Sequence, residues 1–373
     1  MKNKLALYSS TLLLTLVFSG SLLAKTFVYI SEAEDGTIAC YSLNDKEGTL
    51  KLLRRTTAKG KVMPMAISPD KDYLYAAIRS QPLRLSGWKI NRETGALTLT
   101  SETPAAASYP YISIDRAGHY LLAASYDGGV AQVYRINKQG RVIAPFVTEY
   151  QTGHAAHSVI TDATNHNVYI GSLGTDRVLQ LRLHPDGKLT PVGKGFVATQ
   201  PQNGARHSVI SPDNRFLYNI GEMGGIITQF QRNADGALKK TAEYPSAVAD
   251  KYRLQHGVER PAGYSDTTPR VWAADIKITP DGRFLYVSER TSSSVSGYRI
   301  TQGNGKLTLI GSWPVEKQPR GIAVTPDGRW LIVSGEKSSI VSSYAINVRS
   351  GELTHAGEAP AGRDANWVTV VSY

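Results

Sequence analysis

Polar residues interrupt an otherwise apolar strand pattern at two recurring places, and chemistry could sit at these interruptions. Met65, Tyr111, His157, His207, Asp275, Gly321 and Trp367 stand near the start of equivalent short strands, and Arg206, Arg320 and Asn366 directly precede three of them. A second set, Arg79, Tyr126, Glu222 and Arg290, follows the next strand of the same repeat, in Ala-Ile-Arg, Ala-Ser-Tyr, Gly-Glu-Met and Glu-Arg-Thr. Arginine presents a planar fork that matches carboxylate or phosphate oxygens. Glutamate and histidine can exchange a proton near neutral pH once burial and neighbours tune them. Together these residue types suit an anion-binding pocket with an acid–base couple. An Arg–Glu pair also has a plainer use, as a tie between structural units. The sequence holds no His-Glu-x-x-His, no Gly-x-Ser-x-Gly and no phosphate-cradling Gly-x-x-x-x-Gly-Lys-Ser/Thr string.

Bringing such residues together requires elements that repeat. Ala66-Ile67-Ser68-Pro69-Asp70 leads to Tyr73-Leu74-Tyr75, and Ile278-Thr279-Pro280-Asp281-Gly282 leads to Phe284-Leu285-Tyr286. Val324-Thr325-Pro326-Asp327-Gly328 leads likewise to Trp330-Leu331-Ile332. The last apolar residue of the first strand marks each unit: Ile67, Ile114, Ile160, Ile210, Ile278, Val324 and Val370, spaced by 46 to 50 residues except for one interval of 68. Each unit continues into two more short strands across a Gly-containing turn. Four strands per unit with Pro-Asp-Gly turns predict the blades of a β-propeller. Thr26–Ile30 matches a second strand with no first strand before it, and Trp367–Val371 matches a first strand with nothing after it. The two fragments complete one blade between them. The expected fold is therefore all-β, a seven-bladed propeller of four-stranded antiparallel blades, closed by the C-terminal strand joining the N-terminal blade. The long interval predicts an inserted loop at about 241–271, either a plain excursion or a lid over one mouth of the channel.

Composition narrows the alternatives. Of 373 residues, 41% are hydrophobic, too many for a disordered polymer. The single cysteine, Cys40, excludes an internal disulfide framework and any Cys-rich metal site. Neither a metal nor a cofactor is expected. The net charge of +11 is scattered, without a basic run, so nucleic acid is not an expected partner. Lys2 and Lys4 precede an apolar stretch ending in Ser21-Leu22-Leu23-Ala24, the parts of a secretory signal peptide over residues 1–24. The expected mature protein, 25–373, is a single propeller exported to a periplasm. No later stretch is apolar and long enough to cross a bilayer, so no stable membrane insertion is expected after signal removal. A monomer is expected.

Several of these stretches carry a resemblance. Ser68-Pro69-Asp70-Lys71, Ala156-His157-Ser158, Ala205-Arg206-His207, Trp272-Ala273-Ala274-Asp275-Ile276, Glu289-Arg290-Thr291 and Gln318-Pro319-Arg320-Gly321 resemble the lactonase-type seven-bladed propellers. That family includes propeller 6-phosphogluconolactonases and the 3-carboxy-cis,cis-muconate lactonizing enzyme. It implies an active site in the channel mouth, with catalytic roles falling on His157, Arg206, Glu222 and Arg290. Arg320, His207, Asp275, Arg79 and Tyr126 would complete the site as substrate-binding residues. Relatives commonly have Asp-Arg-Thr where this chain has Glu289-Arg290-Thr291. The implied activity is hydrolysis of a sugar-acid or related anionic lactone, with Glu222 and His157 as acid and base in an order left open. Two other readings stand beside it: a muconate-type lactonizing cycloisomerase, and a non-enzymatic exported propeller that binds a ligand or protein. Asn167–Gly171 and Val287–Arg290 also resemble the repeats of surface-associated YVTN-type propellers.

Overall fold

The computed structural model describes residues 25–260 and 264–373. The expected signal segment lies outside the described residues. Strands are numbered β1 to β28 in chain order. They form seven four-stranded antiparallel sheets arranged as blades. Blade 1 has β28 (Ala365–Ser372) innermost, then β1 (Thr26–Glu32), β2 (Thr37–Leu43) and β3 (Leu50–Thr57). Val28 faces Val370 and Tyr29 faces Thr369, so the two ends of the described chain close the ring as expected. The inner strands of blades 2 to 7 are β4 (Val62–Ile67), β8 (Tyr111–Ile114), β12 (Ala156–Thr161), β16 (Ala205–Ile210), β20 (Ala273–Ile278) and β24 (Pro319–Val324). Among the described residues the only helical element is a 3-10 turn at Leu173–Thr175.

Each blade must bury both faces, because each has a neighbour on either side. Side chains alternate across a strand, so Phe27 and Tyr29 pack towards blade 2 with Leu74 and Trp88. Val28 and Ile30 turn the other way, onto Trp330 and Ile332 of blade 7. Apolar clusters of this kind fill every junction around the ring. Burial on both faces is why the second strands read as continuous apolar runs rather than alternating ones.

Two sequence signatures have structural causes. In Thr279-Pro280-Asp281-Gly282, the Thr279 hydroxyl donates to Asp281 at 2.6 Å and accepts from the Phe284 amide at 3.0 Å, tying the hairpin shut. The second-strand tyrosines lock blade to blade. Tyr29, Tyr75, Tyr169, Tyr218 and Tyr286 each donate a phenolic hydrogen bond of 2.6 to 2.9 Å to a glycine carbonyl in the outer hairpin of the next blade. Those hairpins need glycine. Gly140 has φ +68°, and a Cβ there would meet the Tyr73 ring at 2.4 Å.

The extra residues of blade 5 follow its outer strand, β19 (Leu238–Tyr244). Ala242–Tyr244 still pair with β18 (Ile227–Arg232), so the unpaired part of the loop follows Tyr244.

Candidate active site

Bulges aim the first set of polar residues. In β12, Ala156 and Ser158 pair with consecutive residues of the next strand, leaving His157 as the extra residue. In β16, Arg206 is the extra residue between Ala205 and His207. Arg320 falls in the same irregularity of β24, between Pro319 and Ile322. A bulge bends the strand and redirects its side chain, here towards one mouth of the central channel. The second set leaves the ends of second strands: Glu222 follows β17 (Phe216–Gly221) and Arg290 follows β21 (Phe284–Glu289). Arg79 and Tyr126 hold the equivalent places in blades 2 and 3.

These elements converge on a cavity of about 610 Å³. His157, Arg206, Glu222, Arg290, Arg320, Arg79 and Tyr126 all line it. His207 and Asp275, expected beside them, do not line it. The bulge ends at His207, so its ring turns down the channel, behind Arg206. There it packs against Tyr111, with ring centroids 5.0 Å apart, and against Trp367 at 6.0 Å. His207 Nδ1 lies 2.9 Å from Asp275 Oδ1 and its Nε2 lies 3.1 Å from Arg206 Nη1. Arginine can only donate, so Nε2 accepts and Nδ1 carries the proton given to Asp275. Burial, then the neighbouring Arg206, depresses the His207 pKa to about 3, so the ring stays neutral and the relay keeps this polarity. Lys277 completes the chain at 2.7 Å from Asp275. His207 and Asp275 thus hold Arg206 from behind.

At the centre of the cavity wall stands Glu222. Arg206 Nε donates to its Oε2 at 2.7 Å, while Arg290 Nη2 and Arg260 Nη2 donate to its Oε1 at 2.5 and 3.2 Å. Burial opposes ionisation of this carboxyl, but Arg290 and Arg206 outweigh it and hold Glu222 well below the usual carboxylate range. Burial, with Arg206 next, also holds His157 well below the ordinary histidine value. His157 makes no hydrogen bond among the described residues, and its Nδ1 is buried without a partner. Its ring stands edge-on to Tyr126, centroids 5.9 Å apart. Arg206 is fully buried and keeps Nη2 without a partner. Burial lowers its pKa to about 9, still cationic at neutral pH.

Sequence reasoning passed over several lining residues. Glu336 occupies the same place after the second strand of blade 7 as Glu222 and Arg290 do in theirs, so the same offset finds it. Glu259, Arg260 and Tyr264 come from the inserted loop, where no repeat register exists to flag them. Arg260 lies 4.5 Å above the Trp272 ring, and Glu259 bonds to His154, so part of the loop forms a wall of the mouth. The cavity lining is formally balanced, with six Arg and Lys side chains against six Asp and Glu. Any preference for anions must therefore be local.

The ring and its charged cavity define the class: a seven-bladed β-propeller. Comparison with known proteins sharpens that class. A family model described as lactonase, 7-bladed β-propeller, matches residues 26–370. The chain is 34% identical over 298 residues to the 6-phosphogluconolactonase of Serratia proteamaculans, covering 80% of this chain and 84% of that one. It is 33% identical over the same length to the 6-phosphogluconolactonase of Erwinia tasmaniensis, with the same coverage. Among solved structures, the Pseudomonas aeruginosa periplasmic gluconolactonase superposes with a TM-score of 0.80 at 22% identity, over 93% of this chain and 99% of that one. The chain belongs to the lactonase family of seven-bladed β-propellers.

Proposed function

We propose that this protein hydrolyses a sugar-acid lactone in the charged mouth of the channel, using its own side chains and no metal ion. The observation that carries this reading is the meeting of His157, Arg206, Glu222 and Arg290 in one cavity from three consecutive blades. The chemistry follows from their states of charge. His157, neutral and unpartnered, takes a proton from a water molecule as that water's oxygen attacks the lactone carbonyl. The cationic guanidinium of Arg206, buried in the cavity wall, stabilises through its field the oxyanion that develops on the carbonyl oxygen. The ring C–O bond then breaks, and His157 returns the proton to the departing ring oxygen, giving the open hydroxy acid. Glu222 moves no proton in this scheme. Tied by three arginines, it is a weak base, and it holds Arg206 and Arg290 in place while favouring the transient imidazolium of His157.

Assay of a lactone panel, including glucono-δ-lactone and its 6-phosphate, tests the reading once spontaneous opening is subtracted. The expected result is turnover of at least one sugar lactone, unchanged by a chelator. The pH profile is a second check. His157 and Glu222 both titrate below their ordinary values, so each is already in its basic form at neutral pH. The value of kcat/KM should be level from about pH 6.5 to 8 and fall only on the acid side, as His157 gains a proton. A profile whose acid limb has its midpoint above pH 7 would contradict His157 as the base.

A further inference from the structure

Near the start of the inner strands, three large rings stand on alternate blades: Trp367 on blade 1, Tyr111 on blade 3 and His207 on blade 5. The reaction proposed above moves no atom of the three. Their rings meet inside the channel. Tyr111 lies edge-on to His207 and to Trp367, with centroids 5.0 and 5.3 Å away, and His207 stands 6.0 Å from Trp367. Aromatic rings favour such edge-to-face contacts.

The blades between them close the gaps. Met65 of blade 2 is buried in the cluster against which Trp367 packs. Asp275 of blade 6 fixes the His207 ring through the hydrogen bond from Nδ1. On blade 7 the place is taken by Gly321. A Cβ there would lie 2.7 Å from the Asn366 carbonyl oxygen and 2.9 Å from the Trp367 Cα, so glycine lets the strand carrying Trp367 approach.

These rings separate two cavities. Above them is the mouth of about 610 Å³. Below is a second cavity of about 300 Å³, which reaches Ile114, Val324 and Val370 towards the far ends of the inner strands. The two linings share no residue: Pro110 belongs to the upper cavity, Tyr111 and Trp367 to the lower, and His207 to neither. His157 rests against the upper side of His207, with ring centroids 5.2 Å apart.

We propose that Trp367, Tyr111 and His207 plug the channel behind His157 and Arg206, so that water reaches the site from the mouth alone. They are positioning residues, and their part in catalysis rests on the lactonase reading of the upper cavity. Keeping water from the back of the site strengthens every charge interaction within it. Opening the plug has a readable effect on His157. Burial is the largest influence on its pKa and lowers it; Arg206, His207 and Arg320 lower it further, while Glu222 raises it. Tyr126, edge-on to the same ring, is neutral at ordinary pH. Water admitted from below weakens all these influences, so the net change is upward, towards the ordinary histidine value.

The test is NMR titration of His157 in the intact protein labelled at its histidine rings, with the signal assigned by its loss in His157→Asn. Wild-type His157 should still be neutral at about pH 6. Where wild type unfolds before His157 titrates, that pH is taken as the upper bound of its midpoint. Trp367→Ala should raise the midpoint by at least about one pH unit. Trp367→Phe and Tyr111→Phe keep a ring in place and should move it by less than about 0.3 unit. Tyr111→Leu opens the plug from another blade and is read instead should Trp367→Ala fail to fold. A wild-type midpoint near the ordinary value of about 6.5, or one unmoved in a folded opening variant, would overturn the plug.

Turnover separates the two readings. In a protein that opens lactones, the acid limb of kcat/KM should follow the His157 midpoint, with KM at pH 8 changed by less than about threefold. Lactone turnover with an unmoved His157 keeps the lactonase and removes the plug. A moved His157 in a protein that opens no lactone keeps the plug and removes the lactonase.

Discussion

His157→Ala is expected to lower kcat on the best lactone of the panel by roughly two to four orders of magnitude at pH 7, the usual scale of one acid–base group. The ring touches no carboxylate and makes no hydrogen bond among the described residues, so its removal should leave the fold largely intact. Added imidazole should restore part of the rate, a result that a purely structural residue would not give. Glu222→Gln provides the contrast. That change leaves the guanidiniums of Arg206, Arg260 and Arg290 without their shared counter-charge, and Arg206 is fully buried. Breaking a buried pair of this kind costs about 3–5 kcal/mol. The expected variant is therefore both slower and markedly less stable. Activity of His157→Ala within tenfold of wild type, without imidazole, would remove the histidine from the mechanism.

Deleting residues 367–373 should cost more than half of the folding free energy, out of the roughly 5–15 kcal/mol typical of a domain. The deletion removes most of β28, including the partners of Thr26 to Ser31 in β1. Val371 would leave the cluster that joins blades 1 and 2, and Val368 the one that joins blades 1 and 7. It also uncovers the inner side of β1, an unpaired edge open to aggregation. Urea or thermal unfolding checks this. A truncated chain that melts within about 2 °C of the full one would show that closure adds little.

Much of the ring was legible before any coordinates. Pro-Asp-Gly turns recur because each hairpin is tied by a Thr or Ser hydroxyl to the Asp two residues on, as in Thr279–Asp281 and Thr325–Asp327. Closure was legible because two strand fragments at opposite ends needed each other. The candidate site was partly legible: residues that break an apolar repeat at a fixed offset must share one height in the ring. Glu336 obeys that rule too. Arg260 and Glu259 could not be found by it, since they come from a loop with no counterpart in other blades. Strand position alone groups His207 and Asp275 with the cavity-lining residues, because it does not reveal a bulge. One extra residue at Arg206 sends the arginine to the mouth and its neighbour down the channel.

The tyrosine locks have a consequence in alkali. Burial raises the pKa of Tyr29, Tyr75, Tyr169, Tyr218 and Tyr286 above the ordinary phenol value. Their neutral forms belong to the folded ring, while in the unfolded chain they ionise near pH 10. Stability from the locks is thus fully present below pH 10 and lost as pH rises towards the folded values. Five phenols, each contributing about 1.4 kcal/mol per pH unit, make a slope of about 7 kcal/mol per unit. The phenolate absorbance contributed by these five side chains should therefore rise in a single steep step somewhat above pH 10, coincident with loss of strand signal in circular dichroism. A gradual titration of these hydroxyls with the sheet intact would mean that the blades breathe apart one at a time.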